Sequence, residues 1–164
     1  MVARFRPVIA VKRKSPAAAP LYVAADYRPE ENVGMLVGMV RSQLMAALDE
    51  ELADIGLTGA QLPVLHWICQ SGDATAATLC RQIGTDTGSM TRMIDRLEEK
   101  GFIRRVRSDD DRRVVRLELT AAGKALRPMI TPRVVNVLNR NLAGFSADEL
   151  EQLKFLLRRV LANA

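Results

Sequence analysis

The sequence predicts a mainly α-helical fold carrying one small β-hairpin, and three observations support this. Aromatic residues make up only 4% of the 164-residue chain, while Leu, Ala, Val and Met are plentiful, which suits packed helices better than aromatic-rich sheets. After Pro29, apolar residues recur every three or four positions through most of the chain. That period gives way to short β-prone runs over 102–107 and 113–119.

Residues 1–28 hold Pro7, Pro16 and Pro20 among scattered bases, without periodicity, and read as an arm that is flexible on its own. The first helix is predicted over 30–53, where Val33, Leu36, Val40, Leu44, Leu48 and Leu52 share a stripe that Met35, Val37, Met39 and Met45 widen. A helix apolar on several sides needs more than one packing partner, and a second subunit would supply one. Gly34 and Gly38 leave gaps for close helix approach.

Thr58 and Gln61 form a capping box, and Leu57 with Leu62 a hydrophobic staple, so a second helix is predicted over 59–70 with Pro63 in its early turns. A short helix over 76–83 puts Ala76, Leu79, Cys80 and Ile83 on one face. Gly84, Thr85 and Asp86 turn the chain into a helix over 87–100 that Gly101 ends. Two short helices about a tight turn make a helix-turn-helix. The strands over 102–107 and 113–119 flank a polar loop and add a wing, so the fold class is mainly α with a small β-hairpin wing, a winged helix-turn-helix. Thr120 caps a helix running to about Leu142 that Pro128 and Pro132 should bend or split. Phe145, Ser146, Glu149 and Leu150 repeat the staple and box, opening a last helix with Leu150, Leu153, Leu157 and Val160 on its buried side.

The net charge of +5 suggests an anionic partner, but its distribution matters more. Residues 1–29 hold six bases and one acid and so carry the whole excess, whereas residues 81–116 hold ten bases and seven acids. On the helix over 87–100, Met90, Ile94 and Leu97 form a buried stripe, while Ser89, Arg92 and Arg96 lie within about 60° of one another on a different face. Such a helix fits the major groove, where hydroxyl and guanidinium groups match base edges and phosphates; Thr87, Ser89 and Arg92 lie early, where base contacts concentrate. A solvated amphipathic helix would show the same pattern. The sequel favours the DNA reading, since Arg104, Arg105, Arg107, Arg112, Arg113 and Arg116 lie on or beside the hairpin, whose tip can enter the minor groove with Arg113 leading. Asp111 is expected to pair with a neighbouring arginine and orient it, while Asp109 and Asp110 read as a solvated turn.

Here the sequence resembles the MarR family of bacterial regulators, through Leu57, Thr58, Gln61 and Leu65, the run from Gly88 to Ile103, and Asp111, Arg112, Arg113, Leu119, Thr120 and Gly123. The resemblance covers about residues 30–163 and leaves the arm outside. It implies a homodimer built from residues 29–56 and 121–164, with residues 57–120 of each subunit gripping a pseudo-palindromic double-stranded DNA operator. It also places Ser89, Thr91 and Arg92 at the DNA face, and assigns Asp111 and Arg113 as the wing's acid and tip arginine. Pro128 and Pro132 depart from the family's uninterrupted helix.

The resemblance further implies a switch, thrown by a small aromatic or phenolic ligand in the crevice beside the winged domain or by cysteine oxidation. Met39, Arg41, His66 and Trp67 are the crevice candidates on the first two helices, and each also reads as a packing or surface residue. Cys80, on a core stripe, and Cys69, three residues after His66, are the redox candidates, and each reads as either a packing residue or a redox-sensing thiol. An enzyme lacks its parts: one histidine, no phosphate loop, no metal-ligand cluster, and therefore no catalytic residue, metal or cofactor is expected. A winged-helix module that binds other proteins stays open. No run approaches the roughly 20 apolar residues of a membrane span, and two cysteines without a secretory h-region fit a bacterial-type cytoplasm.

Overall fold

The computed structural model describes residues 19–107, 111 and 113–163. The predicted arm lies outside the described residues as far as 18, along with the wing-loop residues Ser108, Asp109, Asp110 and Arg112. Helix α1 is Val33–Leu52, α2 Leu62–Gln70, α3 Ala76–Ile83 and α4 Thr87–Glu99; strands β1 (Ile103–Arg107) and β2 (Val115–Leu119) follow, then α5 (Ala121–Ala125), α6 (Arg127–Asn141) and α7 (Ala147–Leu161). One compact unit takes its described residues from 19–36 and 142–163, and the other is 37–141.

The end of the predicted arm has local structure that periodicity cannot reveal. Residues 24–26 and 29–31 form 3-10 turns, the Val33 N–H donates to the Tyr22 hydroxyl at 3.0 Å, and Asn32 Nδ2 donates to the Tyr27 hydroxyl at 3.0 Å. The first of these bonds and the Asn32 Oδ1 acceptor for the Met35 N–H satisfy early donors of α1.

The core of the larger unit is one cluster in which α1 supplies Leu48 and Leu52, α2 Val64, Leu65 and Ile68, α3 Leu79, and α4 Met90, Ile94 and Leu97. Ile103, Leu117, Leu126 and Val137 close it. The Thr58–Gln61 box is present, but it starts a 3-10 turn over 59–61, so α2 begins at Leu62 and Pro63 falls at its N-terminus, where a missing N–H costs nothing. Gly59 brings α2 onto α1: a Cβ there would lie 2.9 Å from the Leu48 Cβ, and its N–H donates to Asp49 Oδ1 at 2.7 Å. A second box, Thr75 with Thr78, opens α3 and is hidden from the sequence pattern because its reciprocal residue is Thr rather than Glu or Gln.

The hairpin is antiparallel, with Ile103 opposite Leu119 and Arg105 opposite Leu117. Its base is tied down twice: Leu117 N–H donates to the Ala74 carbonyl at 2.8 Å, and Thr120 Oγ1 donates to the Gly101 carbonyl at 2.6 Å. Gly101, at φ 71°, supplies the left-handed turn that ends α4. The expected break after Thr120 occurs as a division at Leu126, which puts Pro128 in the first turn of α6, while Pro132 lies inside that helix.

One expectation is corrected. The stripe predicted as the buried side of α7 is largely exposed, at Leu153, Leu157 and Val160, because among the described residues no other element is packed over those side chains. Val33, Met35, Leu36, Val37, Met39 and Val40 of α1 are exposed as well. Among the described residues no helix is long and apolar enough to cross a membrane.

Candidate nucleic-acid interface

Helix α4 separates its two faces completely. Met90, Ile94 and Leu97 are at most 1% exposed, whereas Thr87, Thr91, Arg92 and Arg96 are exposed and Ser89 is half-buried. The packed stripe fixes the rotation of the helix, and that rotation puts the polar face outward. Asp86 caps the helix by accepting the Ser89 N–H at 2.8 Å, and hydrogen bonding from Ser89, side chain and backbone, holds its carboxyl pKa below the usual value. Arg92 donates to Ser89 Oγ at 3.2 Å, so hydroxyl and guanidinium sit together at the first turn. Lys100 Nζ donates to the Gly56 carbonyl at 2.5 Å, anchoring the far end of the helix to the turn before α2.

On the hairpin, the predicted arginines divide by role. Arg107 and Arg113 are exposed, and Arg112 lies outside the described residues. Asp111 Oδ1 accepts the Arg113 backbone N–H at 2.9 Å, and its carbonyl accepts the Val114 N–H at 2.9 Å, so the acid shapes the turn that presents Arg113. Arg104 donates twice to Glu118 across the strand pair, at 3.1 and 2.6 Å. Arg105, read from the sequence as a DNA contact, is engaged within the protein: it donates to Asp95 Oδ1 at 2.6 Å and to Glu98 Oε2. Hydrogen bonding to Asp95 raises its pKa, burial opposes the shift, and Glu98 adds to it.

A cavity of about 700 Å³ opens in the same unit, lined by Met45 and Leu48 of α1, Leu62, Pro63, His66, Trp67 and Cys69 of α2, and Lys124, Arg127 and Ile130 beyond the wing. His66 and Trp67 are both among its walls, with ring centroids 5.9 Å apart. Met39 and Arg41 are not among its walls: α2 meets α1 at Met45 and Leu48, about one turn or more beyond Arg41 along the helix. Arg41 lies on the same side of α1 as Met45 and Leu48 but at an earlier level, whereas Met39 lies on the opposite side of the helix. Lys124 and Arg127, the two cations of the cavity, went unread because they are some 60 residues from α2 in the chain and carry no local signal. Cys69 is exposed at the cavity wall, and Cys80 is half-buried against the core.

A polar-faced helix following a helix-turn, with a basic hairpin beside it, defines a winged helix-turn-helix transcription regulator. A MarR family profile matches residues 57–115. The multiple antibiotic resistance protein MarR of Escherichia coli strain K12 is 34% identical over 130 residues, covering 79% of this chain and 90% of that protein. A mutant E. coli MarR solved in complex with operator DNA matches with a TM-score of 0.72 at 32% identity, covering 79% of this chain and 93% of that one. BpsR of Bordetella bronchiseptica, solved to explain regulation of its DNA binding by 6-hydroxynicotinic acid, matches with a TM-score of 0.73 at 25% identity, covering 82% and 96%. The chain belongs to the MarR family, whose members are transcription regulators and not enzymes.

Proposed function

We propose that this protein binds a pseudo-palindromic operator as a homodimer, acts as a repressor, and is released by a small aromatic or phenolic acid. The observation that carries the reading is the outward polar face of α4, with Thr87, Ser89, Thr91, Arg92 and Arg96 opposite a fully buried stripe. In the major groove Arg92 grips a guanine by two hydrogen bonds, the hydroxyls meet neighbouring edges and phosphates, and Arg107, Arg112 and Arg113 engage the backbone and minor groove. The operator complex of a relative at 32% identity supports this reading. Residues 57–120 form the DNA-binding domain, and residues 29–56 and 121–164 form the dimerisation region.

The cavity supports the effector. Its walls are mostly apolar, Trp67 and His66 offer ring faces, and Lys124 and Arg127 supply cations, a set suited to a flat ring bearing a carboxylate. BpsR, whose DNA binding 6-hydroxynicotinic acid regulates, supports that ligand class.

Selection of bound genomic fragments, followed by titration of the recovered site, tests the whole reading. Arg113→Ala should weaken binding to all DNA and make the salt dependence shallower by about one phosphate contact, and Arg92→Ala should also relax sequence preference. Aromatic carboxylates should lower operator affinity in wild type. Equal operator affinity of wild type and both variants would end the model.

A further inference from the structure

The recognition helix and the wing approach DNA as separate elements, and one side chain joins them. By strand alternation Arg105 shares the face of β1 that carries buried Ile103, and it is thereby turned to α4. There its guanidinium bridges Asp95 Oδ1, at 2.6 Å, and Glu98 Oε2, while its backbone N–H donates to Glu98 Oε1 at 3.0 Å. Asp95 and Glu98 stand three apart on α4, on one side of the helix, so the planar fork of a single arginine spans both. Three hydrogen bonds from one residue of the wing to two acids of the helix fix the angle between them.

Resting on the operator-binding reading above, we propose that Arg105 is a positioning residue of the DNA interface: it sets the wing against the recognition helix and does not itself contact DNA. Both terminal nitrogens of its guanidinium are held by carboxylates of α4, so swinging the group out to a phosphate would break both pairs and leave two uncompensated acids beside the duplex. Arg113 then acts at the tip of a wing whose direction Arg105 determines.

The two roles of Arg105 predict opposite signs for one variant. In the full-length protein, Asp95→Asn with Glu98→Gln removes two negative charges and releases Arg105, while the new side-chain amide on α4 keeps a carbonyl oxygen that can accept the Arg105 backbone N–H. If Arg105 contacted DNA, operator binding would tighten and its salt dependence would steepen by about one phosphate. With Arg105 as a positioning residue, operator affinity falls about tenfold despite the favourable change in charge, a loss that can come only from geometry. A double-mutant cycle gives the second arm: Arg105→Ala costs about tenfold alone but no more than about twofold in an Arg113→Ala background, because a misaimed tip has nothing left to lose. If Arg105→Ala fails to fold, the amide variant decides alone. Unchanged or tighter binding by the amide variant, or independent multiplication of the two arginine losses, overturns the assignment and leaves operator recognition standing. Failure of wild type to distinguish operator from random DNA overturns both.

Discussion

Gly123 packs against Phe102 with no space for a side chain: a Cβ at Gly123 would lie 2.0 Å from the Phe102 carbonyl oxygen. The same oxygen accepts the Thr120 N–H at 3.1 Å, and Thr120 Oγ1 accepts the Gly123 N–H at 3.0 Å. The junction of α4 and the wing is thus latched to the start of α5 by one carbonyl, one hydroxyl and one absent methyl group. Gly123 and Lys124 also line the cavity, which therefore borders the junction directly.

Gly123→Ala cannot be absorbed by a rotamer change, since the atom in its way is backbone. We expect a loss of about 1–3 kcal/mol in unfolding free energy, read by urea denaturation, with operator affinity falling in parallel. An alanine variant as stable as wild type would show that the close contact is not held in solution.

Asp86 yields a prediction in pH. Its folded-state pKa is lowered by the Ser89 hydrogen bonds, so its stabilising contribution is present above its unfolded value, about 3.9, and is lost as pH falls through the lowered folded value. Asp86→Asn keeps a capping oxygen but cannot titrate. Urea midpoints of variant and wild type should therefore differ at pH 7 and converge below about pH 4. A gap that persists unchanged to pH 3 would mean that the charge of Asp86 contributes nothing.

Most of the fold was legible because it is written in local patterns. The α4 stripe of Met90, Ile94 and Leu97, the boxes at Thr58 and Ser146, and the glycine stop at Gly101 each follow from residues within one or two turns. What escaped is set by how one element packs on another. The Arg105 bridge depends on the strand parity that turns it to the helix, and a count of wing arginines does not register parity. The cavity draws Lys124 and Arg127 to α2 through tertiary packing, and α1 joins it at Met45 rather than Met39 because Gly59 seats α2 there. Periodicity marked the apolar stripe of α7, but it cannot distinguish a stripe buried within the chain from the exposed one observed.

That stripe allows a test of the dimer. Phe155, Leu156, Leu157, Val160 and Leu161 of α7 are exposed, Leu161 to 70%, and the first turns of α1 expose Val33, Leu36, Val37 and Val40. Large apolar side chains exposed along two helices are the kind of surface that a subunit interface would cover. Val160→Arg separates the two cases. In a monomer it is a surface change worth within about 0.5 kcal/mol, and a cation in the last turn suits the helix dipole, so α7 itself should not weaken. In a homodimer the arginine would be buried against an apolar partner, so light scattering should give a smaller mass and the unfolding temperature should lose its dependence on protein concentration. The dissociated variant would keep the α4 face intact yet hold one operator half-site only. A Val160→Arg protein with wild-type mass and operator affinity would exclude this end of α7 from the subunit interface.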